Sequence, residues 1–234
     1  MKLLLAYFPR QLRDVVLTRG AAMLIIAVMM SLPLLLGGIP IGEGADVGAL
    51  LGDTLQGTAV FLTMVATYGI IGEDVRRGYS RFLFSKPINP VLYYTQAFLA
   101  AAITFLAVQL VMVGVFSVVV QPAWPGRLFL EMIVIFVLLG SVIFALSRVA
   151  RLDWLIGMVW VILGGGVRGW APAAESIKGK IFNVLLPPSH LFDDPLFAAT
   201  GVDWWLVAWA GGYAAIMFTI GLSQVRFMPF GTQR

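Results

Sequence analysis

The chain has 234 residues, of which 60% are hydrophobic and 12% are charged, whereas soluble domains average about 45–50% and about 25%. With a mean hydropathy of +0.92, too few charged side chains remain to cover a soluble surface, so the composition predicts a membrane-embedded protein. The absence of cysteine excludes disulfides, thiolate metal ligands and a cysteine nucleophile. The net charge of +4 would suggest nucleic acid in a soluble protein, but here we expect no nucleic-acid partner.

Six apolar stretches separated by charged residues are candidates for membrane-spanning helices. The hydrocarbon core of a bilayer is about 30 Å thick, so a spanning helix needs about 20 apolar residues at about 1.5 Å each. The fifth stretch is short for a full crossing. The sequence predicts an all-α integral membrane protein with a single transmembrane domain, residues 1–234, and six spans at residues 21–39, 54–72, 91–120, 128–147, 154–169 and 204–225.

The basic residues divide unevenly between the two sides that six spans define. Only Arg127, Arg168, Lys178 and Lys180 fall on one side, and the other 12 of the 16 fall on the side of the two termini. Cytoplasmic loops are enriched in Lys and Arg. The asymmetry therefore predicts a multi-pass protein with both termini in the cytoplasm.

The first 20 residues predict an amphipathic helix that lies in the inner membrane interface. Pro9 would occupy the first turn of this helix. The two faces would carry Leu12, Val15 and Val16 on the apolar side and Arg10, Arg13 and Asp14 on the charged side. The alternative is a basic tail that only reaches toward lipid headgroups.

Residues suited to catalysis or metal binding are scarce. A single histidine, His190, cannot supply a multi-histidine metal site, and the sequence has neither a Gly-x-Ser-x-Gly motif nor a phosphate-binding loop. Glu131 lies within the fourth span, four residues after Arg127, and we expect the two to pair at the outer interface. We expect no catalytic residue and no metal site, and any ATP hydrolysis would belong to another chain.

The connection between the second and third spans, residues 73–87, is the most informative segment. Glu73 and Asp74 come first, where they suit the positive end of a helix, and Pro87 would end that helix. Between them, large apolar side chains recur at i, i+3 and i+4, while two arginines share another face. Such a cytoplasmic helix would lie against lipid or dock into the groove of a partner, and the residues alone leave both open.

This segment resembles the cytoplasmic loop of type-two ATP-binding-cassette export permeases. The family pattern has an acid, a glycine, paired leucines and a proline, which Asp74, Gly78, Leu83 and Pro87 match, and Phe84 replaces the second leucine conservatively. Five residues depart from the family pattern. Val75 replaces a basic residue, Tyr79 a threonine and Ser80 a leucine. Arg76 and Arg81 each replace an acidic residue. The two exchanges of an acid for arginine imply a more acidic surface on the partner of this chain.

The organisation of nearly the whole chain is similar to that family as well. Its members have an interfacial helix before the first span, six spans, cytoplasmic termini, and a re-entrant hairpin between spans five and six. The short fifth span ends in Gly164, Gly165 and Gly166, which would permit a helix break or a close helix contact. Residues 170–203 would then form the re-entrant hairpin, or alternatively a loop on the outer surface.

The resemblance implies the membrane subunit of an ATP-driven exporter, in the inner membrane of a prokaryote. Its partners would be an ATP-binding-cassette ATPase subunit, a second permease copy or close relative, and membrane lipid. ATP and Mg would be bound by the ATPase, and this chain would bind no cofactor. The residues expected to couple to the ATPase are Glu73, Asp74, Arg76, Arg77, Gly78, Arg81 and Phe82, with Arg10 and Arg13 as a second docking edge.

Three alternatives differ from an ATP-driven exporter in class. A membrane-embedded scaffold would recruit a cytoplasmic protein that does not hydrolyse ATP. An intramembrane enzyme would require His190. A secondary carrier would transport in response to an ion gradient and without ATP.

Overall fold

The computed structural model of the protein describes residues 2–35, 47–76, 89–119, 126–147, 155–157, 159, 197–198, 201–202 and 204–227. Within these ranges the chain is helical apart from short turns and one antiparallel pair, β1 (Phe197–Ala198) with β2 (Gly201–Val202). The main helices are α1 (Lys2–Val15), α2 (Ala21–Leu35), α3 (Val47–Thr67), α4 (Gly72–Arg76), α5 (Pro90–Val119), α6 (Gly126–Leu146) and α7 (Trp204–Phe227).

Four helical stretches in the described residues are long and apolar enough to cross a bilayer, as an integral membrane protein requires. They are Tyr7–Leu32, Thr54–Arg76, Pro90–Val118 and Phe129–Leu146. The 24-residue helix α7 is not among them, and most of the predicted fifth span, residues 154–169, lies outside the described residues. The structure thus gives four candidate spans where the sequence predicts six.

Helix boundaries agree with the sequence prediction in α5 and α6 but differ in α3. Helices α5 and α6 begin within two residues of the predicted positions 91 and 128. In contrast, α3 begins at Val47, before the predicted span, because a helix can continue past Asp53, whereas the candidate span itself starts at the predicted Thr54. Helix α3 ends at Thr67 rather than residue 72, where Gly69 adopts a φ of 61° and interrupts the helical path.

The N-terminal segment is one continuous helical run from α1 to α2. A π-helical turn at Val16–Gly20 joins the two helices, and the flanking Val15 and Ala21 keep α-helical φ and ψ. The predicted boundary between the interfacial helix and the first span, at residues 20 and 21, lies inside the candidate span Tyr7–Leu32. Pro9 lies inside α1 rather than in its first turn, contrary to the prediction, because the helix already begins at Lys2.

Aromatic rings join α5, α6 and α7. The ring centroid of Phe98 lies 5.4 Å from that of Phe136, 5.5 Å from that of Phe144 and 5.0 Å from that of Phe218. The ring centroids of Phe105 and Phe136 are 4.9 Å apart. Such pairs stabilise a core by about 0.5–1.5 kcal/mol each beyond the burial of area, so the cluster holds these three helices together.

Hydroxyl groups inside the bundle find hydrogen-bond acceptors within their own helices. Thr58, Thr63 and Thr67 on α3 and Thr104 on α5 are buried. Each donates to the carbonyl oxygen four residues earlier, at 2.7 to 2.9 Å. These hydroxyls therefore fit an apolar bundle without needing a partner on another helix.

Glycines allow α6 to approach its neighbours closely. A Cβ atom at Gly221 of α7 would lie 2.6 Å from Cδ1 of Phe144, and one at Gly140 would lie 3.2 Å from Cγ2 of Thr67 on α3. In lipid, helices associate largely through such close packing of small residues, because no hydrophobic effect drives apolar helices together.

We expect Gly221→Ala to destabilise the protein, because the new methyl group would displace the buried, stacked ring of Phe144. Overpacking of this kind costs about 1–3 kcal/mol, which a thermal unfolding experiment in detergent would detect as a lower midpoint. The matched control is Gly212→Ala on the same helix, where nothing lies within 4 Å of the added Cβ. Equal midpoints for the two variants would contradict the close packing of α6 and α7.

Candidate functional site

A cleft of about 740 Å³ lies between α1, the C-terminal end of α3 and the N-terminal end of α5. Its volume falls in the range of about 300–1,000 Å³ that is typical of small-molecule sites. We call it the α1 cleft, and its lining residues are Gln11, Asp14, Val15, Thr18, Arg19, Ala22, Met64, Val65, Tyr68, Gly69, Ile70, Glu73, Asp74, Tyr93 and Ala97.

Two long-range hydrogen bonds hold the N-terminal run in place along this cleft. Nε2 of Gln11 donates to the carbonyl oxygen of Tyr93 at 3.4 Å, and Nη1 of Arg19 donates to the carbonyl oxygen of Ala66 at 2.7 Å. The carbonyl oxygens of the last helical turn have no backbone N–H group in their own helix from which to accept a hydrogen bond. Arg19 therefore caps the C-terminal end of α3, where a positive charge is also favoured by the helix dipole.

A tight turn after α3 positions α4 at the edge of the cleft. Gly69 takes the left-handed conformation, and its carbonyl oxygen accepts from the backbone N–H of Glu73 at 3.0 Å. Glu73 and Asp74 occupy the first turn of α4, where the dipole favours carboxylates. Gly72 is buried, and a Cβ there would clash with the carbonyl oxygen of Ser147 at the end of α6. The short helix is thus packed between the cleft and α6.

Hydrogen-bond acceptors outnumber cations on the wall of the α1 cleft. The carboxylates of Asp14, Glu73 and Asp74 line it, and among the described lining residues the one basic side chain, Arg19, donates to a backbone carbonyl. Oε1 of Gln11 is buried and has no hydrogen-bond partner within the described part of the chain. A Cβ at Gly69 would lie 3.6 Å from Nη2 of Arg76 and 3.7 Å from Oε2 of Glu73, so a guanidinium and a carboxylate meet at the edge of the cleft.

The structure brings together part of the predicted coupling site. Glu73 and Asp74 line the α1 cleft, and Arg76, on the same short helix, is exposed. Arg10 and Arg13 are exposed on α1, which contributes to the same cleft. The remaining predicted residues lie outside the described residues, namely Arg77, Gly78, Arg81 and Phe82 of the coupling loop and Gly164, Gly165 and Gly166 of the predicted helix break.

The two faces of α1 differ from the prediction. Asp14 lines the cleft together with Gln11 and Thr18, whereas the sequence placed it on the face of the two arginines. Val16 is 45% exposed, which is compatible with its predicted place on an apolar face toward lipid. The cleft face follows the helical spacing i, i+3 and i+7, which a hydrophobicity pattern does not reveal because these three side chains are polar.

Two buried polar side chains lie away from the cleft. Glu131 on α6 is 6% exposed, so it is buried in the bundle rather than exposed at an interface, and the side chain of Arg127 lies outside the described residues. Gln109 on α5 is fully buried, and neither atom of its amide has a hydrogen-bond partner among the described residues. The sequence analysis missed Gln109, because one uncharged polar residue hardly changes the pattern of an apolar stretch.

Among the described residues, no group of three or more His, Asp or Glu side chains could hold a metal ion. Comparison of the chain with protein-family models gives no match, and neither the curated proteins nor the solved structures contain a match.

The left-handed conformation of Gly69 gives a prediction about the turn before α4. Gly69→Ala should destabilise the turn by about 1–2 kcal/mol, because a Cβ is unfavourable in this conformation. Gly69→Asn should be milder, because asparagine tolerates the left-handed region. Hydrogen exchange of the Glu73 and Val75 amides, which bond back to Gly69 and Ile71, would report the difference. Equal protection in both variants and the parent protein would contradict the assigned turn.

Proposed function

We propose that the chain is the permease subunit of an ATP-driven exporter of the ATP-binding-cassette class. In this proposal it forms the translocation path and couples to a separate ATPase subunit. The observation that supports it most is the position of α4. This short helix with acidic residues in its first turn forms the end of the candidate span Thr54–Arg76, after the turn that follows α3, and borders the same cleft as α1.

Residues 73–87 resemble a coupling loop, and for this reason we assign α4, which begins this segment, a role in coupling to the ATPase. The α1 and α4 end of the bundle would face the cytoplasm, in keeping with the excess of Lys and Arg in the segments assigned to that side. Arg10, Arg13 and Arg76 are exposed there and would meet acidic groups of the ATPase. The N-terminal helix would supply the second edge of the docking surface.

Coupling in this proposal is mechanical. ATP and Mg bind to the ATPase pair, whose closure moves the loop that begins with α4. The close contact between Gly72 and Ser147 offers a route for that movement into α6. For the movement to do work, the ATPase must contact this loop differently in its open and closed states.

The complete assembly would contain two permease domains and two ATPase subunits, because a closed two-fold arrangement is the commonest symmetry of such oligomers. Helix α2 presents the exposed apolar side chains Ile25 and Met29, each 65% exposed. In a bilayer this surface would contact lipid or the second permease copy. The segment 154–169 and α7 would supply the two remaining spans, with both termini in the cytoplasm of a prokaryote.

Reversing the charge of the proposed docking loop tests this function. The double variant Arg77→Glu and Arg81→Glu should abolish co-purification of the ATPase from native membranes, because both substitutions would repel acidic groups on the partner. The matched control is Lys178→Glu with Lys180→Glu, which reverses two charges predicted on the opposite side of the membrane and should leave co-purification unchanged.

Retention of a stoichiometric ATPase by the loop variant would exclude the docking role. Co-purification of a partner that does not hydrolyse ATP would instead identify the chain as a membrane-embedded scaffold. In both cases thermal unfolding of the variant must match that of the parent protein, so that loss of binding is separated from loss of folding.

A further inference from the structure

The outward face of the N-terminal helical run changes from basic to apolar along its length. Arg10 and Arg13 are exposed on α1. Further along the run, Leu17, Leu24 and Val28 are 63%, 41% and 50% exposed. Side chains three, four or seven residues apart lie on the same face of a helix, and these residues follow that spacing. We call this set the N-terminal strip.

The length of the run sets the depth of the strip in a bilayer. The candidate span Tyr7–Leu32 has 26 residues, about 39 Å at about 1.5 Å each, whereas the hydrocarbon core is about 30 Å thick. The stretch from Val16 to Leu35, where α2 ends, already covers about 30 Å. Leu17 then lies at the edge of the hydrocarbon. Arg13 lies about 6 Å further out, within a headgroup layer of about 5–8 Å.

A small crevice of about 50 Å³ lies between α2, α3 and α5 at the other end of the strip. Leu24 and Val28 line it together with Val111 and Val115 of α5, and all four side chains are 41–50% exposed, so the crevice is open to lipid. Val28 is about 16 Å beyond Leu17 along the helix axis, and one leaflet of hydrocarbon is about 15 Å deep. The crevice therefore lies at the depth that the end of an acyl chain reaches.

We propose that the N-terminal strip binds an anionic phospholipid. Its phosphate lies between the guanidinium groups of Arg10 and Arg13, one acyl chain follows the apolar part of the strip, and the end of that chain enters the crevice. Arginine suits a phosphate because its N–H donors match the geometry of the phosphate oxygens. Asp14, the neighbouring carboxylate, lines the α1 cleft instead, about 100° around the helix from Arg13.

This lipid site is compatible with the proposed docking edge, because a guanidinium has five N–H donors and a phosphate uses only some of them. Anionic lipids are concentrated in the cytoplasmic leaflet, so the leaflet to which the bound lipid belongs rests on the topology of the proposed function. The binding itself requires no ATPase.

The test uses the full chain in phosphatidylcholine vesicles, without any ATPase. Because the chain has no cysteine, Ile25→Cys, at a 65% exposed position next to the strip, can carry a bimane fluorophore that contact with dibrominated lipid quenches. We expect dibrominated phosphatidylglycerol to bind there at least about tenfold tighter than dibrominated phosphatidylcholine, because each arginine contributes about fivefold at an anionic headgroup.

The matched control position is Leu110→Cys on α5, which is 60% exposed and outside the crevice lining. The two brominated lipids should bind equally well at this position. Equal affinity of the two lipids at Ile25→Cys, or the same preference at both positions, would overturn the proposal.

Substitutions of the arginines locate the headgroup. Arg10→Gln and Arg13→Gln should each lower the preference for phosphatidylglycerol by about fivefold, whereas lysine at the same positions should retain it, because lysine also binds phosphate. The matched control is Arg76→Gln, which removes an exposed arginine from α4 and should leave the preference unchanged. An unchanged preference in both glutamine variants of the strip, or an equal loss in the control, would overturn the assignment.

A filled crevice locates the acyl chain. Val28→Phe places a ring at the crevice and should lower the affinity for phosphatidylglycerol at Ile25→Cys severalfold, because the chain loses its place. Val118→Phe, at an 87% exposed position of α5 outside the lining, should not. Equal affinity in the two phenylalanine variants would overturn the placement of the chain.

The outcomes for this site and for the proposed function are distinguishable. Loss of ATPase co-purification in the glutamine variants of Arg10 and Arg13, with an unchanged lipid preference, would assign these arginines to the ATPase and overturn the lipid site. A preference for phosphatidylglycerol without any co-purifying ATPase would reject the proposed function and leave the lipid site in place.

Discussion

Close packing of α6 against its neighbours is the constraint on which the described fold depends. Gly140 allows contact with Thr67 of α3, Gly221 allows contact with Phe144, and Gly72 brings the start of α4 to Ser147. In a bilayer such contacts replace the hydrophobic effect as the source of helix association. Close-packed interiors transmit displacement, so a shift of α6 would disturb α3 and α7 as well.

This constraint gives the α1 cleft its form. Gly72 at the start of α4 meets Ser147 just after α6, and Arg19 joins the π-helical turn to the end of α3 at Ala66. The cleft lies between these elements. The same short helix borders the cleft and begins the loop proposed to meet an ATPase.

The sequence predicted the long helices well, because apolar stretches bounded by charges or prolines are strong local signals. The helices α5 and α6 fall within two residues of the predicted positions. Helix α3 begins before the predicted second span because one acid does not end a helix, whereas the candidate span starts at the predicted Thr54. The α1 cleft could not be predicted, because Gln11 and Tyr93 meet across 82 residues and neither has a pattern that points to the other. The charge of Asp14 was visible in the sequence, but the face that it occupies depends on this tertiary contact.

The proposed function requires that the end of the bundle formed by α1 and α4 faces the cytoplasm. Because the chain lacks cysteine, a thiol introduced by Arg76→Cys, at an exposed position on α4, can be labelled with a membrane-impermeant maleimide in vesicles of known orientation. The account predicts labelling in inside-out vesicles and protection in right-side-out vesicles, with the reverse for Glu43→Cys in the first predicted outer loop. Labelling of the Arg76→Cys variant in right-side-out vesicles would contradict it.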